Sequence, residues 1–148
     1  MVPDNDCVGG YICVPDEIRR LWSRSPDPAA DPYDIMDIEA VGPALVLHNF
    51  GHRFQNCLWM HFVDNESSVA ALAKGSTSVN SAEIIVAWTH SRLAKFGIIA
   101  WFDRVDTKSN PVDGLSRGDM SGPWRLLEIN FPPDMLSSLR SFLDAWPS

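Results

Sequence analysis

Two short apolar runs restrict the fold more than any other feature of the chain. Cys57–Val63 (CLWMHFV) stops at Asp64, and Ile98–Val105 (IIAWFDRV) follows Gly97. Each is too short for a buried helix and too apolar for a loop, so both read as strands. The stretch between them carries helix punctuation. Asn65-Glu66-Ser67-Ser68 leads into a short helix over Val69–Ala73, closed by Gly75. Asn80-x-x-Glu83 has the form of a capping box, and it opens a helix that runs through Phe96 and stops at Gly97.

The flanks extend the alternation. Cys7–Val14 (CVGGYICV) reads as a strand behind the turn residues Asp4-Asn5-Asp6, and Ile18–Trp22 reads as a second short strand. Ser23–Asp34 holds three prolines and is a loop. From Ile35 to Gly51 the pattern is helical, with Ile38, Val41, Leu45, His48 and His52 three or four apart. Pro43 interrupts it and predicts a kink or a late helix start. Downstream, Asn110-Pro111 opens a short helix that ends near Gly118. Pro132-Pro133 starts a last helix with the stripe Met135, Leu136, Leu139, Phe142, Leu143 and Trp146. This order of elements predicts a mixed α/β domain.

Composition narrows the function. Hydrophobic residues make up 45% and charged residues 21%, a globular balance. No stretch is long and apolar enough for a membrane span, and no basic-then-apolar leader opens the chain, so an intracellular protein, cytoplasmic or nuclear, is expected. Cys7, Cys13 and Cys57 are odd in number and form no C-x-x-C, which argues against a disulfide framework or a zinc knot. The net charge of −7 makes a poor non-specific nucleic-acid binder, so any such role needs a local basic face or a bridging metal ion. Arg19, Arg20, Arg24, Arg104, Lys108 and Arg117 are the cations that could face phosphate, and an ordinary solvated surface accounts for them equally well.

Three acids hold positions where α/β proteins gather their ligands, at strand ends and helix starts. Glu39 lies near the start of the first long helix, Asp64 ends an apolar strand, and Asp113 lies in the first turn after Asn110-Pro111. Such carboxylates can converge on a hard cation such as Mg²⁺, which takes oxygen ligands and keeps several waters. Acids are also common at helix N-termini because the dipole favours them. The remaining candidates are weaker. His48 and His52 are spaced i, i+4 without a zinc motif, His61 reads as a core residue, and His90 as a helix-surface residue. The tryptophans, Trp22, Trp59, Trp88 and Trp101 among them, read as packing residues.

Asn110–Arg117 reads NPVDGLSR and follows a strand. Phe62–Leu72 reads FVDNESSVAAL, and Asp37–Phe50 reads DIEAVGPALVLHNF. These three blocks, in this order, resemble the ribonuclease H domain of retroelement reverse transcriptases, whose last block is typically Asn-Pro-Ala-Asp-x-x-Ser-Arg. By element order the resemblance covers about residues 9–118. It implies a ribonuclease-H-like mixed sheet with helices on its faces, the first three strands antiparallel and the later ones parallel. It also implies Mg²⁺- or Mn²⁺-dependent hydrolysis of the RNA strand of an RNA–DNA hybrid, beside an adjoining reverse transcriptase domain. Carried over, Glu39, Asp64 and Asp113 match three of the family's four metal-binding acids, and Asn65, Ser67 and Arg117 lie where the hybrid would be touched. Two divalent ions about 3.5–4 Å apart can activate water and stabilise the leaving oxygen, which is why such a site needs converging carboxylates.

The chain departs from the family at its start. The family's first acid lies on a strand before the Gly-rich strand that CVGGYICV resembles, whereas Asp4 and Asp6 fall in the turn just ahead of it. The expectation is a domain over 1–118 lacking its first strand, impaired in catalysis and with an exposed sheet edge. Residues 119–148 then form an extension with one amphipathic helix. Two other classes fit less of the sequence. One is a non-catalytic relic that acts as a scaffold or binding module. The other is a transposase or integrase relative, whose last acid is Glu where this chain has Asp113.

Overall fold

The computed structural model describes residues 35–78, 80–111, 113–116, 119, 121–122 and 129–144. The expected strands at 7–14 and 18–22, the loop at 23–34, and Arg19, Arg20, Arg24 and Arg117 lie outside them. Helix α1 (Ile35–Phe50) passes through a 3-10 turn (Gly51–Arg53) to strand β1 (Leu58–Val63). Helices α2 (Glu66–Lys74) and α3 (Asn80–Phe96) follow, then β2 (Ile99–Arg104). A second 3-10 turn (Thr107–Ser109), the one-turn helix α4 (Asp113–Ser116) and helix α5 (Pro133–Asp144) complete the described elements. The chain is thus mixed α/β.

β1 and β2 run parallel, from Leu58 opposite Ile99 to Val63 opposite Arg104. Parallel neighbours need a long crossover, and α2 with α3 provides it. α1 continues through Pro43 as a helix from Ile35, so the expected late start does not occur. Pro43 has no N–H to offer the carbonyl of Glu39 one turn earlier, and its full burial offsets that loss. Gly75 adopts a left-handed conformation (φ 78°), and its N–H closes α2 on the carbonyl of Ala71. Glu83 accepts the N–H of Thr77 at 2.6 Å, so its carboxylate reaches upstream of the helix.

The core lies on one face of the sheet. α1 packs along α3, with Ala40, Ala44 and Ala82 fully buried, small enough to let the helices approach. Leu45, Leu72 and Ile85 fill the space between these helices and the strands. α5 joins the same core through Met135 and Leu139, one helical turn apart and both buried. Arg92 of α3 pairs with Asp134 of α5, and its guanidinium lies 4.8 Å from the Trp88 ring. Asn49, at the end of α1, accepts the N–H of Asn130 and donates to its carbonyl, both at 2.9 Å. The segment beyond the resemblance therefore covers the core.

The opposite face of the sheet differs from expectation. The apolar run CLWMHFV is expected to be a buried strand, but Leu58, Met60 and Phe62 are exposed, as are Ile99 and Trp101 on β2. Trp101 is therefore not a core tryptophan. The uninterrupted apolar run concealed an alternation, because the residues turned inward (Trp59, His61, Val63) are apolar or aromatic as well.

Candidate functional site

The strand β1 ends at Val63, and Asp64 is the next residue, half-buried at the C-terminal end of the sheet. The ladder still holds there, because Val105 donates its N–H to the carbonyl of Val63 at 3.0 Å. α1 begins beside this point. Glu39, half-buried in its second turn, lies close enough to Asp64 for that carboxyl to raise its pKa. Two residues 25 positions apart in sequence are thus brought near one another.

Two carboxyls can share a hydrogen bond only when one carries a proton. Burial, then the charge of Asp64, then side-chain hydrogen bonding with Asp64 raise the Glu39 pKa from its ordinary 4.5 to about 7. Glu39 therefore keeps its proton into the neutral range. A cation entering between the two oxygens would replace that proton, and the donor set, carboxylate oxygen alone, suits a hard ion.

Asp113 opens α4, and its N–H bonds the carbonyl of Asn110 at 3.2 Å. Among the described residues no group of three or more His, Cys, Asp or Glu side chains is close enough to hold a metal ion. Asp113 thus does not complete a three-acid cluster with Glu39 and Asp64 here. The helix that bears it is only four residues long.

Asn65 caps α2, with its Oδ1 accepting the Ser68 N–H at 2.9 Å and the Ser68 hydroxyl at 3.1 Å. That oxygen is committed to the helix, so a contact with substrate would fall to the amide NH₂. Ser67 is exposed on the first turn of α2. Replacing Asn65 with Ala is expected to cost about 1 kcal/mol of stability, measured by urea denaturation, because a cap is lost.

The histidines separate. His61 lies in an aromatic cluster, 4.9 Å from Trp59 and 6.1 Å from Phe102, and burial lowers its pKa from 6.5 to about 4. His48 packs on Trp88 at 6.1 Å, while His52 is exposed in the 3-10 turn, so the two do not share a helix face. His90 is half-buried on α3. Its Nε2 lies 2.7 Å from the carbonyl of Leu72, tying α3 to α2.

Glu39 and His61 impose opposite pH dependences on stability. The folded state holds a proton on Glu39 that the unfolded state releases between pH 4.5 and about 7, so this contribution falls as pH rises. The folded state refuses a proton on His61 that the unfolded state takes up between pH 6.5 and about 4, so this contribution falls as pH drops. Relative to wild type, Glu39→Gln is expected to make stability rise more steeply with pH across this range. His61→Phe is expected to make it fall. Denaturant titrations at several pH values check both.

Comparison with known protein families, characterised proteins and solved structures yields no match.

Proposed function

We propose that the chain is a retroelement-derived ribonuclease-H-like domain whose ancestral activity is divalent-metal hydrolysis of the RNA strand of RNA–DNA hybrids, impaired in this chain by itself. The observation that carries the reading is the Glu39–Asp64 pair, a helix-start acid whose pKa burial and the neighbouring strand-end acid raise to about 7. The order of the three sequence blocks supports it, since the same two acids were singled out by resemblance. Glu39 and Asp64 would hold Mg²⁺ or Mn²⁺, which when bound activates water and stabilises the leaving oxygen. Asp113 is the third candidate ligand. Asn65 and Ser67, beside Asp64, together with Arg117, would position the hybrid, whose natural setting would be an adjoining reverse transcriptase in the cytoplasm or nucleus.

A second reading, a non-catalytic scaffold or binding module, is favoured by the lack of a three-acid cluster among the described residues. Incubating the 148-residue chain with a labelled RNA–DNA hybrid and Mg²⁺ or Mn²⁺, alongside calorimetry of metal binding, distinguishes the two. The proposal expects measurable metal affinity with cleavage near background. Robust cleavage abolished by Asp64→Asn would keep the nuclease ancestry and overturn the impairment. Absence of both metal affinity and cleavage would favour the second reading.

A further inference from the structure

We infer that the exposed face of the sheet is a dimer interface, covered in solution by the same face of a second copy of the chain. Leu58, Met60 and Phe62 of β1 and Ile99 and Trp101 of β2 point to one side, because Leu58 lies opposite Ile99 and Met60 opposite Trp101 in the parallel register. They are 70, 57, 53, 72 and 59% exposed, respectively. The helices α1, α2 and α3 pack on the other side, where Val63 and Phe102 are buried.

The size of the patch selects its occupant. At roughly 200 Å² for a fully exposed large side chain, these fractions leave on the order of 600 Å² of contiguous apolar surface. That is the upper limit for an ordinary monomer. Two such faces together bury about 1,200 Å², the lower bound of a specific protein–protein interface. An isologous pairing of one patch with itself meets that bound, places apolar against apolar, and closes after two copies. It also adds a layer on the side of the described strands that faces away from the helices. The face carries one charge, Asp103, which lies opposite Phe62 at the end of the patch and accepts a hydrogen bond from the Trp101 indole, and each chain carries −7 overall. The dimer therefore forms against net repulsion, which salt screens.

The test is sedimentation equilibrium of the full chain under reducing conditions, which prevents disulfide links through Cys7, Cys13 or Cys57. The expected result is a species of twice the 16.5 kDa chain mass, tightening as NaCl rises. Met60→Asp with Trp101→Asp, both at exposed positions, is expected to keep the wild-type circular dichroism and to weaken association about 100-fold or more. A wild type that stays monomeric to about 100 μM overturns the inference. In that case, shielding of Trp101 from a soluble fluorescence quencher would assign the cover to the chain's own residues. A variant that dimerises as well as wild type overturns the placement of the interface. Association that weakens with salt overturns the apolar pairing in favour of a charged contact.

Discussion

Asp64→Asn is expected to lower the affinity of the chain for Mn²⁺ by about 100-fold or more, the largest effect of any single substitution at the pair. The amide preserves the shape of the side chain but removes its charge, and a hard cation held by two carboxylates loses one of them. The same change withdraws one influence on Glu39 and leaves another. Burial is the largest cause of the raised pKa, and the charge of Asp64 adds to it, so the pKa should fall towards 4.5 without reaching it. Glu39→Gln acts differently. It also removes metal affinity, but it ends the burden of a half-buried carboxylate forced to ionise beside another. Above pH 7 the variant should be more stable than wild type by about 1–2 kcal/mol, after allowing for solvent screening. A residue that destabilises the apo fold yet binds a cation is the pattern of a functional site. Calorimetric titration with Mn²⁺ and urea denaturation at pH 8 measure the two effects together.

Leu45→Ala should have the largest effect on folding, costing about 3–4 kcal/mol. Leu45 is 1% exposed on α1, in the core that α1 shares with α3. Its removal leaves a cavity that surrounding helices fill only in part, because Ala40 and Ala44 already hold α1 close. For a domain with total stability in the range of about 5–15 kcal/mol, this loss is a large share. Urea denaturation read by tryptophan fluorescence gives the value, and a loss below about 1 kcal/mol would place α1 outside the cooperative core.

The helices and both described strands were legible in the sequence because their signals are local. Gly75 and Gly97 end α2 and α3 where expected, and both adopt positive φ. Asn65, singled out as a place where the hybrid would be touched, also caps α2. At Pro43 the late start is overturned because tertiary burial opposes a local rule: the α1–α3 packing holds the helix through this residue. The contact of His90 with Leu72 was not legible because helical spacing does not reveal which carbonyl lies across a neighbouring helix. The approach of Glu39 to Asp64 has no local signal in the sequence, since the two lie 25 residues apart. The position of Asp113 depends on a one-turn helix, where no periodic pattern constrains how the side chain is aimed. The exposed face was hidden because apolar residues occupy both sides of β1, so periodicity could not assign one side to solvent.

The central claim is that Glu39 keeps a proton beside Asp64 where a divalent cation can replace it. Carbon-detected NMR titration of the Glu39 carboxyl, with and without Mg²⁺, tests this most directly. The expected midpoint is about 7 without the ion and lower with it, with the Asp64 resonances responding to the same ion. A midpoint near the ordinary 4.5 that Mg²⁺ does not move would contradict the claim.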